Sequence, residues 1–120
     1  MGLPSLALLL RGGAYAHRSA RADVDFALAA AALDFSLEVY FLGDAITQLA
    51  VGRKPDAARL PPGYRAWASL PELGQARLFA ERTWLDRCEQ RGIRLLAGLE
   101  GLERDELRAR WRRCSHALVL

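Results

Sequence analysis

The stretch Phe35–Pro55, FSLEVYFLGDAITQLAVGRKP, does most to limit the folds open to this chain. Its run from Leu37 to Leu42 is rich in the β-branched and aromatic side chains that suit a pleated, half-buried surface, so it reads as a strand. Gly43-Asp44 breaks the run, and Ala45, Ile46, Leu49 and Ala50 then recur at helical spacing, giving a short helix from Asp44 to about Val51. A strand that stops at Gly-Asp and becomes a helix forms the edge of a crevice in an open α/β sheet, where ligands and partners sit beyond the carboxyl ends of the strands. Asp44 stands where a carboxylate caps free N–H groups and complements the positive helix end. With no second acid or metal-ligand cluster beside it, a cap is the better reading than a catalytic carboxylate. Gln48, one turn on, reads as a polar contact on the same face. Gly52 is the expected C-cap, with Arg53 and Lys54 near the negative end and Pro55 as the stop.

The same alternation runs through the chain. Pro4–Leu10 is a short continuous apolar run, suited to a parallel strand buried on both faces. Arg21–Asp34 contains FALAAAAL, strongly helical by intrinsic propensity and apolar almost all round after Phe26. One side of such a helix meets the sheet, and the other is left for a second subunit. Tyr64–Leu70 reads as a helix ended by Pro71, Arg77–Thr83 as a third strand, and Leu85–Arg91 as a helix capped by Gly92. Ile93–Ala97 is the expected fourth strand, Leu102–Arg113 the last helix, and Ala117–Leu120 a closing strand. Strands alternating with helices define an α/β class: one domain around a mostly parallel five-stranded sheet covered on both faces.

At 120 residues and 52% apolar content, the chain fits one domain with a genuine core. No apolar run approaches the roughly 20 residues of a membrane span, and the apolar start lacks the basic flank of a signal peptide. Two cysteines make no disulfide framework and agree with a reducing cytoplasm. The net charge of +3 comes almost wholly from arginine, Lys54 being the only lysine. Arg104, Arg108 and Arg112 form a basic stripe on the last helix, while Leu107, Trp111 and Cys114 form its buried stripe. Glu106 stands four residues before Arg110, a helix-surface pair worth a few tenths of a kcal/mol, roughly.

The catalytic inventory is thin. Gly12-Gly13 belongs to neither a dinucleotide fingerprint nor a P-loop, and no C-x-x-C, H-E-x-x-H or G-x-S-x-G occurs. His17 is a loop histidine without a second partner, and Ser19 is placed to cap the first helix. Cys88 is the one candidate nucleophile, because Arg87 and Arg91 beside it favour a thiolate. A cysteine in mid-helix is more often a small packing residue, and Cys114 reads the same way.

The residues from Ala27 to Pro55 resemble the TusC/DsrF branch of the DsrE-like sulfur-relay proteins: an alanine-rich helix, then a strand, a turn and a Gly-Arg-Lys-Pro stop. Val39, Phe41, Asp44, Gln48, Leu49, Gly52, Lys54 and Pro55 match that pattern, while Ala45 replaces a glycine and Arg11-Gly12-Gly13 replaces a Pro-His/Tyr-Gly element. The resemblance implies a single flavodoxin-like, three-layer DsrE-like domain over residues 1–120, joined to two related subunits in a cytoplasmic heterohexamer. Such complexes pass persulfide sulfur toward 2-thiouridine in tRNA or within sulfur oxidation. In the sulfur-carrying sister subunit the acceptor cysteine follows strand three, about eight residues before an Arg-Gly turn. Here that position is Trp84, which cannot hold a persulfide. The expectation is therefore a non-catalytic interaction subunit with no cofactor and no metal. Its partners would be sister subunits together with upstream and downstream sulfur-carrier proteins, with no membrane and with tRNA contact left open. Its interface would use Phe26, Ala30, Asp44, Gln48, Leu49 and Lys54. Two alternatives stay open: a persulfide-carrying sulfurtransferase using Cys88, and a small-molecule-binding module using Gly12-Gly13 and the crevice.

Overall fold

Strands β1 (Ser5–Leu10), β2 (Ser36–Phe41), β3 (Ala76–Glu81), β4 (Glu100–Leu102) and β5 (His116–Val119) form one sheet in the order β4-β3-β2-β1-β5. Every pair in it is parallel. The structure is a computed structural model that describes residues 5–11, 19–50, 64–73 and 76–120. Parallel neighbours need crossovers. Those described are α1 (Ser19–Ala32), a 3₁₀ helix (Gly43–Leu49), α2 (Tyr64–Leu73), α3 (Arg82–Gln90) and α4 (Arg104–Trp111). The α/β fold expected from the alternation is the one observed.

The two faces of the sheet are covered unequally. On the first, Leu6, Leu8, Leu10, Leu37, Val39 and Phe41 pack with Ala27, Ile46, Leu49, Trp67 and Leu70, contributed by α1, the 3₁₀ helix and α2. On the second, Ala7, Leu9, Tyr40 and Phe79 meet Leu107, Trp111 and Cys114 of α4 and the turn after it, as the i, i+4, i+7 stripe predicts. Period-2 alternation sorts β2 between them, with Leu37, Val39 and Phe41 on one face and Glu38 and Tyr40 on the other. Tyr40 stacks on Phe79 at 5.0 Å and meets Trp111 edge-on at 5.6 Å.

Several local expectations are corrected. Ile93–Ala97 is no strand. Its apolar residues are partly buried against the first core, Leu96 N–H donates to the Leu49 carbonyl at 2.9 Å, and Leu95 makes only an isolated antiparallel bridge to Ala50. The fourth strand is Glu100–Leu102, three residues paired to β3. A Cβ at Gly101 would run into a terminal methyl of Leu85, so any side chain there requires Leu85 of α3 to turn aside. Helix α2 continues past Pro71 to Leu73, forgoing the bond a donor there would make to the Trp67 carbonyl. Asp44 caps nothing: the cap position is Leu42, and the Asp44 carbonyl accepts from Thr47 Oγ1 at 2.7 Å. Arg110 joins Glu38 at 2.7 Å rather than Glu106, because the β2 carboxylate is half-buried and within reach. Gly92 does end α3 as expected: φ is 69°, Gly92 N–H donates to Glu89, and Ile93 N–H donates to Cys88. The side chain of Ser19 and the whole of Gly52, the two other expected caps, lie outside what the structure describes.

Candidate functional site

The carboxyl ends of β2 and β3 open into a crevice between the first turn of α3 and one side of α4. Leaving β2, the chain turns sharply at Gly43, whose φ of 56° suits only glycine without strain. A Cβ there would stand 3.9 Å from the Trp84 ring. The crevice encloses about 270 Å³ and is lined by Leu42, Gly43, Glu81, Trp84, Arg104, Leu107, Arg108 and Trp111. Glu81 pairs with Arg104 at 3.3 Å. The Arg87 guanidinium lies over the Trp84 ring, 4.9 Å from its centroid. No cysteine lines the crevice.

Cys88 lies one turn past Trp84 and points into the core, 6% exposed. Burial pushes its thiol above the ordinary range, and Arg91 offsets this only in part. Arg87, the other cation expected to activate it, stacks on Trp84 instead. A raised, covered thiol is the reverse of what a reactive cysteine needs. Cys114 is half-buried, and its thiol reaches Glu38 Oε2 at 3.4 Å. Burial, then the Glu38 charge, push it up to about 11.

The residues expected at a partner interface separate into two sets. Gln48 and Leu49 are fully buried in this chain's own core, so their work is internal. Gln48 Oε1 accepts from the Trp67 indole at 3.1 Å, and its Nε2 donates to Asp23 Oδ2 at 3.2 Å. Asp23 is itself buried, and burial raises its pKa while the Gln48 bond pulls the other way. The sequence reading passed over Asp23, although Asp23, Ala27 and Ala30 follow the i, i+4, i+7 spacing of the covered side of α1. Asp44 is exposed, and Lys54, like Gly12-Gly13 and His17, lies outside the described residues.

Phe26 and Ala30 instead line a second depression, at the amino ends of the strands on the first face. It encloses about 360 Å³ and is walled by Leu6, Phe26, Ala29, Ala30, Leu33, Phe35, His116 and Leu118, nearly all apolar. Leu33 is 72% exposed, and all four residues of β5 are exposed at the sheet edge. Leu33 and Leu118 went unremarked in the sequence, though Phe26, Ala30 and Leu33 have the i, i+4, i+7 spacing of a second apolar stripe.

A parallel five-stranded sheet in the order β4-β3-β2-β1-β5, with helices on both faces and a crevice at its carboxyl edge, defines a three-layer α/β domain. The DsrE/DsrF-like family model matches residues 5–118. The chain belongs to that family. Among solved structures it is similar to the crystal structure of YchN protein from E. coli, with 20% identity and a TM-score of 0.72 over 98% of this chain and 100% of that one. No curated protein matches it in sequence. At that identity the likeness to YchN speaks for the fold. Among the described residues there is no helix long and apolar enough to cross a membrane, and no group of three side chains suited to hold a metal ion.

Proposed function

We propose that this chain is a non-catalytic interaction subunit of an intracellular sulfur-relay complex, of the TusC/DsrF kind, serving tRNA 2-thiouridine synthesis or sulfur oxidation. Membership of the DsrE/DsrF-like family supports a sulfur-relay-related role. The observation that carries the narrower reading is the apolar groove between α1 and β5. A depression of about 360 Å³ with an almost wholly apolar lining, beside an edge strand with open backbone groups, is what a subunit interface looks like before its partner arrives. Covering a side chain as exposed as Leu33 contributes on the order of 1–2 kcal/mol, so a few such residues are worth a stable contact. The occupant we assign is a sister DsrE-like subunit, packing on Phe26, Ala30 and Leu33 in a hetero-oligomer, with Asp44 and Lys54 as further contact residues. Upstream and downstream sulfur carriers would meet the assembled complex. The buried, raised thiol of Cys88 and the tryptophan at the start of α3 support the absence of a sulfur-carrying role.

Co-expression with DsrE-like sister chains tests this. The chain alone should self-associate or precipitate, and together they should purify as one complex. Phe26→Glu with Leu33→Glu should abolish co-purification while leaving the far-UV circular dichroism unchanged. A well-behaved lone monomer that captures no sister chain would sink the proposal. Incubation with a persulfide donor should leave Cys88 without added sulfur by mass, and a sulfur adduct there would restore the carrier reading.

A further inference from the structure

The basic stripe on α4 lies outside the proposed docking groove, and two of its three arginines sit at the crevice. We propose that this crevice binds a small planar aromatic anion, a ring of one or two cycles carrying a carboxylate or phosphate. Trp84 and Trp111 bring two indoles to a space whose remaining apolar lining is Leu42 and Leu107. Indole lining suits an aromatic body, and stacking on an indole needs no particular ring chemistry. The polar lining is Arg104, Arg108 and Glu81. Glu81 answers Arg104 at 3.3 Å, whereas Arg108 makes no ion pair among the described residues. Two guanidiniums against one carboxylate leave a positive rim, with Arg87 adding charge from over Trp84.

Size and charge narrow the class. About 270 Å³ falls just below the range of roughly 300–1,000 Å³ that holds drug-sized ligands, so a dinucleotide or flavin nucleotide is too large. A neutral ring would leave Arg108 unanswered, and a bare inorganic anion would leave both indoles wet. A compact aromatic anion satisfies both parts. The site is separate from the docking groove, since neither Phe26 nor Leu33 lines it, although the proposed contact residue Asp44 adjoins it next to Gly43.

The test uses the full chain carrying Phe26→Glu and Leu33→Glu, changes outside the crevice that keep it from self-associating, and reads the indole N–H signals of its three tryptophans in ¹H–¹⁵N spectra, assigned with single Trp→Phe variants. The probes are 1-naphthyl phosphate and adenosine 5′-monophosphate, with 1-naphthol, adenosine and inorganic phosphate as their separated parts. Both aromatic anions should move the Trp84 and Trp111 signals saturably and leave that of Trp67, buried in the first core, in place. Inorganic phosphate alone should move none, and the neutral parents should bind at least about tenfold more weakly, the scale of one charge-assisted contact. Arg108→Gln should weaken both anions by about tenfold, while Arg112→Gln, the same charge loss outside the crevice, should change affinity less than about twofold. Arg108 and Arg112 are both exposed, so neither substitution threatens the fold. Unmoved Trp84 and Trp111 signals, or equal effects of Arg108→Gln and Arg112→Gln, would overturn the proposal.

Discussion

Gln48→Leu tests the reading of the core most sharply, because it keeps the volume of a fully buried side chain and deletes its polar contacts to Trp67 and Asp23. The glutamine links the Trp67 indole at 3.1 Å to the Asp23 carboxylate at 3.2 Å, and all three residues are buried. Removing it strands the indole N–H and exposes the carboxylate to an apolar neighbour, each costing about 1–3 kcal/mol. Leucine returns roughly 1–2 kcal/mol of apolar transfer. At the middle of these ranges the net loss should be about 2.5 kcal/mol, read by urea denaturation at neutral pH. In a Trp67→Phe background there is no indole N–H to strand, so the cost of Gln48→Leu should shrink by about 1–2 kcal/mol. A loss under about 0.5 kcal/mol, or strict additivity of the two changes, would refute the reasoning.

The same network sets a pH dependence. Asp23 titrates above its ordinary 3.8, chiefly because burial penalises the charged form. The folded state therefore holds this proton more tightly than the unfolded one. The favourable contribution is complete below the ordinary pKa and is lost as pH rises through the raised one. Asp23→Asn removes the charge and keeps an acceptor for Gln48. Its stability relative to the native chain should rise between pH 4 and pH 7, and a difference that stays flat or falls would contradict the assignment.

Three smaller effects should follow from single positions. Asp34 ends α1 with φ of 63°, the position glycine usually takes, so Asp34→Gly should stabilise by about 0.5–1 kcal/mol in the same denaturation assay. Gly101→Ala should cost about 1–3 kcal/mol, because its methyl meets Leu85 where α3 lies against β4. Arg77 holds Glu100 through two hydrogen bonds, at 2.9 and 2.7 Å, and lowers its pKa. Both side chains are substantially exposed, so Arg77→Ala should cost no more than about 1 kcal/mol. That cost should be present above the ordinary glutamate range and vanish as pH falls through the depressed value.

Much of the fold was legible because the signals were local. An alanine-rich helix, apolar strands of about six residues, and a helix end at Gly92 each follow from spacing and propensity. The misreadings came where tertiary contacts decide. Ile93-Arg94-Leu95-Leu96 has the composition of a strand, but its apolar side chains find the first core from a loop. Glu100-Gly101-Leu102 has nothing strand-like except its fit beside β3. Asp44 has the residue type and position of a cap, yet the turn at Gly43 places its side chain in solvent. Gln48 was assigned to a surface because it is polar, and only the pairing with Trp67 and Asp23 shows why a polar side chain is wholly buried there. The crevice was foreseen from Gly43-Asp44, whereas its lining from α4 is brought there by the order of the strands.

The groove and the crevice lie at opposite ends of the sheet. Leu6, Phe35 and His116 stand where their strands begin, and Leu42, Gly43 and Glu81 where theirs end. Across a strand of six residues that separates them by about 20 Å. They also differ in cover, the groove lying against α1 on the first face and the crevice against α4, which covers the second. A subunit seated on Phe26 and Leu33 thus has no need to touch Trp84 or Arg108. Phe26→Glu with Leu33→Glu should break the complex and leave the affinity for 1-naphthyl phosphate within about twofold, since changes this far apart with no shared partner act independently. Arg108→Gln should do the opposite, weakening the aromatic anion about tenfold while sister chains still co-purify. If the docking variant also loses the anion, the two sites are one surface, and the division between docking face and ligand crevice fails.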